Sequence, residues 1–379
     1  MFVRVKEWEG SSITESMRKL LEQLLLAKRV DAVLVPKRYP DSNNVAHALV
    51  TDPEKLQGVD PLAPVQMVNA AHIVKELAKT PLDKKIAVVL RPCEVRATVE
   101  LIKLKQANNE NLILIGHDCP GVYNLKDYLD LMETPSARKN KETFTHRYLE
   151  QFLSSQPAAE HQNIREACRL CTHFTADSAD LGIAWIGSDL KELIVEVRSE
   201  ESHSLLPDSQ ELSELPQRTE KVDEIRNVRE KNRDEVSADL LSFMDRCMRC
   251  YNCREVCPIC YCKECLLKPE KMGYTPERYI SRAIKKGQIK MPVDTLLYHL
   301  TKMNHMASSC VACGLCEQAC PMDIPLGRIY SLVGRDVQAL FDYEAGRSLD
   351  EELPVLTFRE EELEEVEDLG SPSARKEKK

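Results

Sequence analysis

The sequence predicts an α/β domain over residues 1–198 and a smaller all-α domain over 237–340. A charged linker over 199–236 joins them, and a tail over 341–379 follows. Three observations predict this division. Short apolar runs alternate with helical patterns through the first part of the chain. Two copies of one cysteine spacing fall in the later part. Between them lies a stretch rich in charge and poor in large apolar side chains.

The strand signals of the first domain come first. Residues 30–36 and 45–51 read as strands, and 86–90 and 112–116 are short apolar runs of the kind buried on both faces of an α/β sheet. Residues 181–187 and 193–197 read as further strands. A helix is expected over 12–28, with Leu20, Leu21, Leu24 and Leu25 on one face.

Residues 199–236 are charged and hold two prolines, so a solvated spacer is expected, helical toward its end. Beyond it, Thr275 and Pro276 cap and open a helix that Gly287 stops. Tyr279, Ala283, Ile280 and Ile284 are its expected apolar stripe. Leu296, Leu297 and Leu300 mark a second helix. The tail turns acidic and then basic, and reads as a mobile or partner-binding arm.

Composition limits the function. The chain has 379 residues, room for two or three domains of roughly 100–200 residues each. Its net charge of −9 argues against nucleic acid as a main partner, because a phosphate binder needs a basic face. The start, MFVRVKEWEG, has no basic-then-apolar pattern, and no long apolar window follows. A cytoplasmic chain is therefore expected. Its 15 cysteines then point to metal or redox chemistry, since disulfides are disfavoured in that compartment.

The cysteines are grouped. Cys247, Cys250, Cys253 and Cys257, followed by Pro258, form the run C-x2-C-x2-C-x3-C-P. Cys310, Cys313, Cys316 and Cys320, followed by Pro321, repeat it. This is the bacterial two-cluster ferredoxin run, in which the fourth cysteine ligates the other cluster. Two [4Fe–4S] clusters are expected, one on Cys247, Cys250, Cys253 and Cys320, the other on Cys310, Cys313, Cys316 and Cys257. Structural zinc is the alternative, and two complete runs argue against it. The long helical insert between the runs makes residues 240–335 resemble the α-helical ferredoxins of respiratory dehydrogenase iron–sulfur subunits and heterodisulfide reductase small subunits. Cys260, Cys262 and Cys265 have no partner motif. They read as reduced cysteines packed near a cluster, with spare ligands or a regulatory thiol set as alternatives.

Four cysteines remain. Pro92-Cys93 and Cys119-Pro120-Gly121 each follow a predicted strand. Cys168 and Cys171 form a C-x2-C with Phe174 and Ala179-Asp180-Leu181 after it. These segments resemble the coenzyme F420 hydrogenase/dehydrogenase beta-subunit family over about residues 5–200. The resemblance implies a third [4Fe–4S] cluster on Cys93, Cys119, Cys168 and Cys171, and a bound flavin, FAD. It implies hydride exchange with a deazaflavin or nicotinamide carrier, or exchange with ferredoxin. It also implies partner subunits of formate dehydrogenase, hydrogenase or heterodisulfide reductase type. The order of domains departs from that of several family members, which carry the ferredoxin motifs first. In place of the family's Gly-Gly turn stands Gly10-Ser11-Ser12-Ile13-Thr14. There Gly10, Ser11, Ser12 and Thr14 either receive a flavin phosphate on a helix N-terminus or only cap the helix.

Weaker candidates are Asn69, a helix cap or cofactor contact, and His117, a surface histidine or a hydrogen-bond partner of a cluster ligand. Trp185 reads as core. No Walker or G-x-G-x-x-G motif occurs. The function expected is electron transfer between a flavin-linked carrier and a partner. The alternative is a flavin-free iron–sulfur relay.

Overall fold

The computed structural model describes the chain except residues 9, 40–42, 136, 138–140, 155–163, 214, 236–245, 266, 268–274, 289–294 and 359–379. Strands β1 (Phe2–Val5), β2 (Ala32–Arg38), β3 (Val45–Val50), β4 (Ile86–Leu90), β5 (Leu112–His117), β6 (Leu181–Ile183), β7 (Leu193–Val197) and β8 (Ser209–Leu212) form one sheet, in the order β3-β2-β4-β5-β6-β7-β1-β8. The β2, β4, β5 and β6 neighbours run parallel, and β3, β7, β1 and β8 pair antiparallel.

Helices cover both faces of the parallel centre, as parallel strands require. They are α1 (Ile13–Leu26), α2 (Ala71–Leu77), α3 (Pro92–Lys103), α4 (Leu125–Glu133) and α5 (Lys141–Ser154). Successive strand side chains alternate between the faces. Ala87 and Val89 join Leu20, Leu21 and Leu24 of α1 in one core. Ile86, Val88 and Leu90 join Val74 of α2 and Val95 and Val99 of α3 in another. Trp185 lies in the first core with its ring edge-on to Phe152, as the sequence suggested.

The expected linker is instead part of the first domain. β8 pairs with β1 at the sheet edge. Helix α6 (Pro216–Glu235) buries Val222 and Ile225 in the α1 core. Arg218 of α6 grips both carboxylate oxygens of the buried Asp118. The helix toward the end of this stretch was expected, but its packing and β8 were not, because β8 is a polar edge strand and α6 needs only two apolar anchors within a charged surface. The expected boundaries at 236 and over 237–245 lie outside the described residues.

The second part holds α7 (Pro276–Lys286), α8 (Thr295–Met306) and α9 (Leu326–Leu340) around the cysteine motifs. Thr275, Pro276 and Gly287 mark α7 as expected. Its apolar stripe is not buried against the described residues: Ile280 and Ile284 are exposed. The face of α8 is the reverse of the expected one. Leu296, Leu297 and Leu300 face outward, whereas Tyr298, His299, Lys302, Met303 and Met306 are buried. The polar residues are inside because the interior they face is a wall of thiols.

The first part of the expected tail is docked. Arg96 Nε donates to Ala345 O at 2.8 Å, and Gly346 N–H donates to Glu100 Oε1 at 2.8 Å. Tyr343, Ala345 and Leu353 pack with Ala97 and Leu101 of α3. Gly346 has φ +75°, and any Cβ there would collide with the Arg96 backbone. Residues 359–379 lie outside the described residues. Among the described residues no helix is long and apolar enough to cross a membrane.

Candidate metal centres

The two cysteine runs share one backbone shape. Arg249 and Ala312 have φ +56° and +54°, and Tyr251 and Gly314 have φ +65° and +71°. Each run then enters a single helical turn, Asn252–Glu255 or Leu315–Gln318. Left-handed residues outside glycine are uncommon and costly, and persist where the surroundings demand them. Here they turn amides toward sulfur. The Arg249 amide bonds the Cys247 thiol, the Ala312 amide bonds Cys310 and the Leu315 amide bonds Cys313.

Cys247, Cys250, Cys253 and Cys320 lie within one another's electrostatic reach. Two α8 side chains serve this set. His299 Nε2 is 3.3 Å from Cys247 Sγ, and its Nδ1 is 2.7 Å from Tyr330 Oη. Tyr298 Oη is 3.5 Å from Cys253 Sγ. Burial and the neighbouring Lys302 charge lower the His299 pKa to about 4, so its ring is neutral near pH 7. Cys250 is exposed, beside exposed Met248.

Cys257, Cys310, Cys313 and Cys316 line a separate, central cavity with Lys302 and Tyr330. The fourth cysteine of the first run thus stands with three of the second, as the spacing predicts. Burial pushes Cys310 up to about 12 and Cys313 up to about 11. Thiolates at these positions require a positive partner, which a cluster of iron ions supplies.

Cys93, Cys119, Cys168 and Cys171 line an N-terminal cavity. Cys93 opens α3 just after β4, and Cys119 follows β5, so both stand at the carboxyl ends of parallel strands. Burial pushes Cys119 up to about 12 and Cys93 well above its usual range. Arg229 of α6 holds the loops, donating to Cys171 O at 3.2 Å and Pro120 O at 2.8 Å. His117 is buried, not a surface residue, and its Nδ1 meets Asp118 O at 2.7 Å.

Ala312 and Cys313 wall both the central and the N-terminal cavity. Gly314 makes this approach possible, because a Cβ there would strike Ala167 and Arg165. Arg165 is fully buried at the junction and donates to Gln66 Oε1 at 3.0 Å and to Cys313 O at 3.1 Å. Gln66 Nε2 lies 3.8 Å from Cys93 Sγ. Asn69 caps α2 through Ala71 N–H at 3.0 Å and also sits beside the Cys313 thiol. Sequence reading missed Gln66, Arg165, Arg229, His299 and Lys302, since none lies in a cysteine motif. Among the described residues no three His, Cys, Asp or Glu side chains converge on a single metal-ion position.

The Gly10 turn is a helix cap. Ser12 Oγ accepts from Glu15 N–H at 3.3 Å, and Ser11 Oγ accepts from Lys19 Nζ at 2.9 Å. The amides of Gly10, Ser11 and Ile13 donate to Lys191 O, Trp8 O and Leu190 O. Thr14 is half-buried in the first turn of α1. With those donors engaged, the turn does not fit a flavin phosphate. Cys260, Cys262 and Cys265 line a third cavity with Arg254, Lys302 and His305. The Cys260 thiol bonds the Cys257 sulfur, which with the Lys302 charge favours the Cys257 thiolate.

Residues 83–222 match the family model for the carboxyl-terminal part of the coenzyme F420 hydrogenase/dehydrogenase beta chain. Residues 243–324 match the 4Fe-4S dicluster domain. The chain is 28% identical to the F420-dependent formate dehydrogenase subunit beta of Methanocaldococcus jannaschii, over 92% of this chain and 94% of that one. It is 27% identical to the F420-dependent formate dehydrogenase 1 subunit beta of Methanococcus maripaludis, over 91% of this chain and 92% of that one.

Proposed function

The chain belongs to the coenzyme F420 hydrogenase/dehydrogenase beta-subunit family and carries a 4Fe-4S dicluster domain, and from that premise we propose that it is a three-cluster relay. It is an iron–sulfur electron-transfer subunit of an oxidoreductase complex. Cys93, Cys119, Cys168 and Cys171 hold one [4Fe–4S] cluster. Cys257, Cys310, Cys313 and Cys316 hold the second, and Cys247, Cys250, Cys253 and Cys320 the third. Bound there, such clusters supply one-electron transfer.

The observation that carries this reading is Cys313 on the wall of both the N-terminal and the central cavity. It makes the thiol sets a series, with the central set in the middle. The protein's part is to fix their spacing through Arg165 and Gln66 and to exclude water from the buried thiols. The exposed Cys250 makes the outer set the exchange point with a partner.

A hydride carrier delivers electrons in pairs, so a flavin must split them. The amides of Gly10, Ser11 and Ile13 are already engaged at the turn before α1, which favours the relay. A second reading has a flavin bound elsewhere on this chain and a deazaflavin as its hydride carrier. It is favoured by the end-to-end similarity to two subunits named as parts of F420-dependent formate dehydrogenases.

Anaerobic purification with iron and flavin quantified on one sample separates these readings. About twelve iron atoms per chain without flavin supports the relay. The same iron with about one flavin supports the second reading. About eight iron atoms leaves two clusters and overturns the three-cluster reading, and stoichiometric zinc removes all three.

A further inference from the structure

Lys302 is buried on α8 with 1% of its surface exposed. Its ammonium has no hydrogen-bond partner among the described residues. The nearest ring is that of Tyr330, whose centroid lies 4.3 Å from Nζ, and the Tyr330 hydroxyl is already engaged by His299. A buried, unpaired ammonium is costly unless a negative group answers it. Lys302 lines the cavity of Cys257, Cys310, Cys313 and Cys316.

The other cations near the thiols are differently placed. Arg229 and Arg165 donate to backbone carbonyls and side-chain amides. Arg91 donates to Val65 O at 3.1 Å. In the outer thiol set His299 Nε2 stands 3.3 Å from Cys247 Sγ. Lys302 differs from these in having no hydrogen-bond acceptor among the described residues.

We propose that Lys302 is a charge-positioning residue that raises the reduction potential of the central cluster, whose cavity it lines. The reasoning is electrostatic. Reduction adds one negative charge to the four-thiolate site, and a fixed cation in a low-dielectric wall stabilises the more negative state. This inference rests on the three-cluster reading above.

The test uses the full chain, purified anaerobically, with iron content measured before anything else. About twelve iron atoms per chain in the unaltered protein is the condition set by the three-cluster reading, so failure there is failure of that reading and is seen first. Lys302→Met, Lys302→Gln and Lys302→Arg are then titrated electrochemically with EPR detection of each cluster. The expected result is a loss of at least tenfold in the preference of one cluster for its reduced state in the Met and Gln variants. That corresponds to about 59 mV for a one-electron couple. The N-terminal cluster moves least, and the Arg variant stays near the unaltered protein.

Unchanged potentials at full iron loading overturn the proposal, as do equal shifts in all three clusters or an Arg variant that behaves like Met. If both neutral variants lose one cluster's iron while Arg retains it, the charge is needed to hold that cluster, which supports the assignment. If Arg loses it too, Lys302 has a packing role and the proposal fails.

Discussion

Arg165 and Cys313 meet across the junction of the two parts of the chain, where the arginine donates to the cysteine's carbonyl oxygen at 3.1 Å. The same guanidinium bonds the Gln66 backbone carbonyl at 3.1 Å and its side chain at 3.0 Å. Replacing Arg165 by Met removes the arginine's donors to Cys313 O and Gln66 Oε1, while Gln318 Nε2 still serves Gln66 O at 3.2 Å, at a cost of about 1–3 kcal/mol. The expected outcome is a lower thermal midpoint at unchanged iron content. Electron exchange between the N-terminal and central clusters should slow, followed by rapid-freeze EPR after partial reduction. Unaltered stability and exchange would show that the junction is held by other contacts.

Asp118 gives a second prediction. Its carboxylate accepts from Arg218 and from the amides of Trp185 and Ile186, each amide at 3.0 Å. Asp118→Asn preserves the shape and removes the charge. Arg218 is then buried without its counterion, which typically costs about 3–5 kcal/mol. Chemical denaturation under argon should show a loss of that order, together with release of α6. A change within experimental scatter would mean that Arg218 finds another acceptor.

The docked segment after α9 can be loosened at one atom. Gly346→Ala places a methyl group against the Arg96 backbone in a left-handed conformation. Limited proteolysis should then cut within 341–358 sooner than in the unaltered chain, with the rest of the fold intact. Equal cleavage rates would contradict the tight fit.

His47 sets an acid limit. Burial holds its ring below the ordinary histidine pKa, and its Nε2 has no hydrogen-bond partner. The folded state therefore binds the proton less readily than the unfolded chain. Its contribution is complete above the unfolded pKa of about 6.5 and is lost as pH falls below it. His47→Gln should retain more of its pH 7.5 stability at pH 5.5 than the unaltered protein does. Parallel stability curves for the two proteins would rule this contribution out.

The parts legible in the sequence were those with strong local periodicity. β4 and β7 match their apolar runs residue for residue, and α1 buries Leu20, Leu21, Leu24 and Leu25 as its spacing predicts. Spacing alone puts Cys257 with the second run, and it lines that cavity. What escaped was tertiary. A polar strand such as β8 is fixed only by β1, and α8 turns Lys302 inward only because thiols wait there. The leucines of α8 misled because apolar spacing identifies a helix without saying which face its surroundings will cover. Arg165, Gln66 and Arg229 act at a junction between distant segments, and no local pattern announces them.

Arg96 and Ala345 are bonded across a separation of 249 residues in sequence. On the ribosome, α3 emerges long before the segment that covers it. Part of its Ala97 and Leu101 face stays uncovered until the segment around Tyr343 to Leu353 has been made, so a product stalled before it displays apolar surface to the quality-control machinery. A chain that stops short of this segment is thereby marked, whatever the state of its cysteine loops.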